Sequence, residues 1–168
     1  RRAAAITKIL KSYDDNNSGK LERPQIVRLL TDLDTSTPEG TPPSDEEVAW
    51  ILKMTDQEGD GCIARSELAE AVCCWMTFVE NRKVLEETMK KYDKSKTGKL
   101  SREEVRAYLE DLNNGVPVTN AELDMIMKKA DTMGNGVIGP YEVASVSACW
   151  LGYLSEQNNE RARCCTIS

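Results

Sequence analysis

Asp56-Gln-Glu-Gly-Asp-Gly-Cys-Ile-Ala-Arg-Ser-Glu67 places carboxylates first, third, fifth and twelfth in a twelve-residue run, with Gly61 sixth and Ile63 eighth. The sixth residue suits a sharp bend, because glycine alone turns there without strain. Val48, Ile51 and Leu52 lead into the run, and Leu68, Ala71, Val72, Trp75 and Val79 leave it, both at helical spacing. The stretch therefore reads as a loop between two amphipathic helices. Three further runs share its register, beginning at Asp14, Asp93 and Asp131, with Gly19, Gly98 and Gly136 sixth and Leu21, Leu100 and Ile138 eighth.

The four runs form a duplicated pair. Tyr13-Asp-Asp-Asn-Asn-Ser-Gly-Lys-Leu21 aligns with Tyr92-Asp-Lys-Ser-Lys-Thr-Gly-Lys-Leu100, and Asp32-Leu33 and Asp111-Leu112 follow at the same offset. Glu67 precedes Cys74-Trp75 by the interval at which Glu142 precedes Cys149-Trp150. Ser44 with Glu47, Thr119 with Glu122, and Ser101 with Glu104 stand in capping-box register at helix starts. Eight helices are predicted with almost no strand. The segment from Asp34 to Pro43, with its three prolines, reads as a connecting loop. No Gly or Pro intervenes between Glu67 and Asp93, so a continuous or nearly continuous helix is expected there.

Composition narrows the chemistry. The 168 residues carry 28 acidic and 22 basic side chains, a net charge of −6, and no His. A basic nucleic-acid surface is not expected, while cations or basic peptide segments suit the balance. Without His, the commonest general base and zinc-site nitrogen are missing, and no nucleophile–base arrangement or phosphate loop is visible, so the chain reads as a non-enzyme. The six cysteines include the adjacent pairs Cys73-Cys74 and Cys164-Cys165, a placement that argues against a disulfide scaffold. No secretory pattern follows Arg1, although the chain does not open on Met. Reduced thiols in the cytoplasm are the expectation. No apolar run reaches the roughly 18–20 residues of a membrane span.

A hard cation such as Ca2+ takes about six to eight oxygens, and a twelve-residue loop supplies them from side chains one, three, five and twelve and the seventh carbonyl. On these residues the chain resembles the EF-hand family, and most closely its four-site calmodulin and troponin C type, from Ile6 to Leu154. The resemblance implies an all-α fold of two pairs of EF-hand helix–loop–helix units, with short β contacts between paired loops. An amino-terminal pair is expected over 1–79 (loops 14–25 and 56–67) and a carboxy-terminal pair over 80–157 (loops 93–104 and 131–142). Residues 158–168 are expected to form a flexible tail.

The loops differ in donor quality. The second offers Asp56, Glu58, Asp60, the Cys62 carbonyl and Glu67, although Glu58 is one methylene longer than the usual Asp or Asn. The third offers Asp93, Ser95, Thr97, the Lys99 carbonyl and Glu104, a complete set with two charges. In the fourth, Asp131, Asn135, the Val137 carbonyl and Glu142 fit, but Met133 puts a thioether where an oxygen belongs. In the first, Asp14, Asn16, Ser18 and the Lys20 carbonyl fit, but Gln25 replaces the twelfth glutamate. For the first and fourth loops, a structural pairing role with little metal is the competing reading.

In the sensors of this family, the resemblance implies, Ca2+ binding opens an apolar groove for the amphipathic helix of a protein partner. Met54, Met76, Met89, Met125 and Met127 could line it, or fill the core instead. A soluble Ca2+ buffer and a structural subunit of a larger assembly are the alternatives. The final Cys165-Thr-Ile-Ser168 fits a prenylation pattern, with Cys164 as a second acylation site and peripheral membrane association as the consequence. Chance placement of a cysteine there is the competing explanation.

Overall fold

The computed structural model describes the backbone of residues 2–165 and the side chains of residues 4–157. Among the described residues, seven helices and two short strands follow one another. Helices α1 (Arg2–Tyr13) and α2 (Arg23–Leu33) flank the first loop, which contains β1 (Lys20–Leu21). Helix α3 (Asp45–Thr55), strand β2 (Ile63–Ala64) and helix α4 (Leu68–Tyr92) build the second. Helices α5 (Arg102–Leu112), α6 (Asn120–Ala130) and α7 (Val143–Cys165) complete the third and fourth. No helix among the described residues is long and apolar enough to cross a membrane.

Seven helices stand where eight are predicted. The helix leaving the second loop and the one entering the third are a single 25-residue element, α4, uninterrupted by Gly or Pro. From residue 158, where the tail is expected to begin, the backbone continues α7 as far as Cys165. That stretch too contains no Gly or Pro, so nothing in its chemistry stops the helix. The last three residues of the prenylation pattern lie outside the described residues. Pro24 takes the second position of α2, whereas Pro140 lies in the turn before α7 rather than in its first turn. The three predicted capping boxes close the starts of α3, α5 and α6.

Internal contacts divide the chain into residues 1–83 and 84–168. In the first unit, β1 pairs antiparallel with β2, setting Lys20 opposite Ala64 and Leu21 opposite Ile63. Leu21 and Ile63 are fully buried there, as are Ile26, Ile51 and Trp75. The second unit repeats the contact as a single antiparallel bridge between Leu100 and Ile138. Both residues are fully buried, as are Leu109, Leu123, Ile126 and Val146. The residue eighth in each loop therefore anchors the paired loops to the core beneath them.

Arg82 gathers the far end of the first unit. Its guanidinium lies 2.8 Å from Asp34 and 2.9 Å from Glu47, and sits over the Phe78 ring at 4.7 Å. The Asp34 side chain is only 3 % exposed and that of Arg82 15 %, so water does little to screen the pair. Glu47 holds the Ser44 cap with its other oxygen, 2.7 Å from the Ser44 N–H. Removing one member of a buried ion group costs about 3–5 kcal/mol, because the survivors remain charged and unpartnered. We expect Arg82→Ala to lower the stability of the chain by that order, read from the urea midpoint, with a smaller loss for Arg82→Lys.

Candidate metal sites

In every loop the opening aspartate collects backbone N–H groups from the bend. Asp56 accepts from Gly59 at 2.7 Å and Gly61 at 2.8 Å, and Asp131 accepts from Gly134 at 2.7 Å and Gly136 at 2.8 Å. Asp93 accepts from Thr97 at 3.0 Å and Gly98 at 2.8 Å, and Asp14 from Ser18 at 3.0 Å and Gly19 at 2.9 Å. These N–H groups converge because the fourth and sixth residues take positive φ. Gly59 and Gly61 have φ of 71° and 77° in loop 2, while Lys96 and Gly98 have 56° and 78° in loop 3. The fourth position is a feature sequence reasoning missed. Gly59 and Gly134 were its visible signal, whereas Asn17 and Lys96 carried a weaker signal or none.

The twelfth residue closes the ring in three loops. Glu67 accepts from the Gln57 and Ala64 N–H groups, each at 2.8 Å. Glu104 accepts from Ser95 at 2.9 Å and Ser101 at 2.8 Å, and Glu142 from Met133 and Gly139, each at 2.9 Å. Each carboxylate thus joins the incoming half of its loop to the ninth residue, just ahead of the outgoing helix. In loop 1 the Gln25 oxygen accepts from the nearby Glu22 N–H at 2.9 Å. It serves as a helix cap.

These repeated frames match a known pattern. The family model of the EF-hand domain pair covers residues 3–73 and 82–146. The chain belongs to that family. It is similar to a calmodulin-like protein of Oryza sativa subsp. japonica, 28% identical over 130 residues, which covers 75% of this chain and 71% of the relative. Troponin C, isoform 1, of Homarus americanus is 24% identical over 137 residues, covering 80% and 86%. The 25 kDa calcium-binding protein of Tetrahymena thermophila is 23% identical over 162 residues, covering 78% and 74%.

The EF-hand donors are not equally ready for a cation. Among the described residues, no three His, Cys, Asp or Glu side chains are gathered closely enough to hold a metal ion. In loop 2, Glu58 and Asp60 are each paired with Lys20 of the neighbouring loop, 2.6 Å from its Nζ. In loop 3 the neutral donors Ser95 and Thr97 lie beside Asp93 and the Lys99 carbonyl, with Ser95 Oγ 3.2 Å from Asp93 and Thr97 Oγ1 2.9 Å from the carbonyl. In loop 4, Asn135 Oδ1 accepts from the Val137 N–H at 3.1 Å, and Met133 contributes only its N–H to the ring. In loop 1, Asn16 binds Glu22 at 2.8 Å and Ser18 donates to the Lys20 carbonyl at 3.0 Å. Asp56, Glu58, Asp60 and Glu67 in loop 2, and Asp93, Ser95, Thr97 and Glu104 in loop 3, carry the hard oxygen donors that would suit a divalent cation such as Ca2+. Inward movement of Glu58 and Asp60 is required first.

Burial separates the closing glutamates. The Ser101 N–H holds the Glu104 carboxyl down to about 2 against the opposing effect of burial, with the Ser95 N–H assisting. Burial pushes Glu142 up despite the Gly139 and Met133 N–H groups, and nearby Asp131 adds to the rise. A carboxyl lowered on folding contributes stability above its unfolded range, and that contribution disappears as pH falls toward the folded value. In chelator, Glu104→Gln should reduce the urea midpoint at pH 7. The gap from wild type should shrink as pH falls from 4.5 toward about 2.

Proposed function

We propose that this chain is a calcium sensor that binds Ca2+ in loops 56–67 and 93–104 and then recruits a protein partner. The supporting observation is the position of the twelfth glutamates. Glu67 and Glu142 are 5 % and 0 % exposed, and each stands immediately ahead of an outgoing helix, α4 or α7. A change of partner at either carboxylate is therefore delivered to a long helix. Trp75 and Trp150 lie on those helices in the two cores, both essentially buried. The similarity to a calcium-binding protein, a calmodulin-like protein and a troponin C points the same way.

Within this proposal, the pairs act as modules over 1–79 and 80–157, each with a stronger and a weaker loop. Asp131, Asn135, the Val137 carbonyl and Glu142 form a weaker site, and Asp14, Asn16, Ser18 and the Lys20 carbonyl the weakest. The partner presents an amphipathic helix to a groove uncovered when the outgoing helix moves. Of Met54, Met76, Met89, Met125 and Met127, only Met54 is well exposed, Met89 is buried, and the others are half-buried. That leaves Met76, Met125 and Met127 placed to enlarge an apolar surface on opening. The acidic balance disfavours nucleic acid, and no catalytic role is assigned. The four cysteines among the described side chains are free, which suits a reducing cytoplasm. Farnesylation at Cys165, with Cys164 as a second acylation site, would add peripheral membrane association.

Calcium titration followed by tryptophan emission and an apolar dye separates the alternatives. Binding with dye uptake supports the sensor, binding without it makes the chain a buffer, and no binding leaves a structural subunit. Glu67→Gln and Glu104→Gln should each weaken Ca2+ binding in their own loop by about tenfold or more, through loss of a charged bidentate ligand. If a Cys165→Ser chain expressed in cells remains in the membrane fraction as wild type does, the lipid element is wrong.

A further inference from the structure

Loop 2 has a cation of its own within reach. We propose that Lys20 is an intramolecular counter-ion that competes with Ca2+ for loop 2, so that loop 1, itself the weakest site, governs the affinity of its neighbour. The inference rests on the proposed reading of loop 2 as a Ca2+ site. It begins with one contact. Lys20 Nζ stands 2.6 Å from Glu58 Oε2 and 2.6 Å from Asp60 Oδ2. Those are the third and fifth donors of loop 2, half of its four carboxylates.

The backbone makes the contact local. Pairing of β1 with β2 fixes Lys20 opposite Ala64, so its side chain starts beside loop 2 although it belongs to loop 1. Glu58, longer by a methylene than an aspartate, can reach outward to the ammonium. Asp60 meets it with one oxygen while the other accepts the Cys62 N–H at 3.0 Å. A divalent ion in the ring needs both side chains turned inward. The same oxygens cannot be held outward by the ammonium and surround the ion.

Loop 1 is built for this role more than for metal. Asp14 is the one carboxylate among its first, third, fifth and twelfth residues, and it already receives the Ser18 and Gly19 N–H groups. Gln25 caps α2. In the second unit, Lys99 is the corresponding seventh residue, but loop 4 carries Met133 and Asn135 third and fifth. No carboxylate pair stands at those positions. The device therefore belongs to the first unit, where the neighbouring loop is richest in charge.

All three side chains are partly solvated, at 36%, 58% and 38% exposure, so the ammonium modulates affinity and does not block the site. Its removal should tighten loop 2 by about three- to tenfold, the scale of paired contacts weakened by solvent. The test uses the whole chain and Ca2+ alone, with the Gly61 and Gly98 amide resonances reporting loops 2 and 3 separately. In Lys20→Met the Gly61 midpoint should move to lower Ca2+ while Gly98 stays in place; Lys20→Arg, which keeps the charge, should remain within about twofold of wild type. In wild type, the Lys20 ammonium resonance should shift in step with Gly61. An unchanged or weakened Gly61 midpoint in Lys20→Met overturns the inference, as does an ammonium resonance indifferent to Ca2+. A Gly61 resonance silent in both wild type and Lys20→Met removes the loop 2 reading itself.

Discussion

Inward-pointing backbone N–H groups, answered by carboxylates, shape each loop. Positive φ at the fourth and sixth residues turns several N–H groups toward one point. A buried donor left unanswered costs about 1–3 kcal/mol, which applies to the Gly139 N–H that Glu142 answers, while the N–H groups at the bends are exposed and the aspartate fixes their direction. The opening aspartate does so in all four loops, and the twelfth glutamate ties the remaining ends together in three. A carboxylate oxygen has two lone-pair directions. One oxygen can therefore keep its N–H and still face a cation, which lets a single framework serve the folded chain and the proposed ligand.

Much of this arrangement was legible because it depends on periodic features. The sixth glycines and eighth aliphatic residues located the loops, and the paired loops meet through those aliphatic residues. The recurrence of Asp32 and Asp111 was visible as a repeat but had no assigned chemistry. The Tyr13 hydroxyl donates to Asp32 at 2.8 Å and the Tyr92 hydroxyl to Asp111 at 2.5 Å. Each tie joins the last residue before a loop to the helix after it. That contact crosses 19 positions, and nothing in local spacing marks it. Arg82 was hidden for the same reason, since its partners Asp34 and Glu47 come from elements distant in sequence.

Donor quality was harder to read than loop position. Counting carboxylates ranks loop 2 first, but a count cannot show that Glu58 and Asp60 share an ammonium from the adjoining loop. Nor could it show that Gln25 would serve as the cap of α2 while the aligned Glu104 both caps α5 and reaches back to Ser95. Here the physical difference is small: one carboxylate exchanged for an amide. Its consequence is larger, because the amide has a single oxygen to offer and no charge to attract a cation. Side-chain identity at the donor positions sets composition, whereas burial and neighbours decide where the oxygens point.

Helix α4 shows what a sensor movement would have to overcome. Glu67 stands at its start, the Trp75 indole N–H donates to the Leu30 carbonyl at 2.9 Å, and Arg82 holds Asp34 and Glu47 further along. These ties bind one side of the helix to the end of α2 and the start of α3. A ligand shifts a two-state element only by its difference in affinity between the states. Ca2+ binding that merely filled loop 2 in the present arrangement would leave these contacts intact and produce a buffer. Sensing requires Glu67 to move α4 far enough to part the indole or the guanidinium from its partners. The choice between those behaviours is therefore made along the helix, at contacts remote from the oxygens that select the ion.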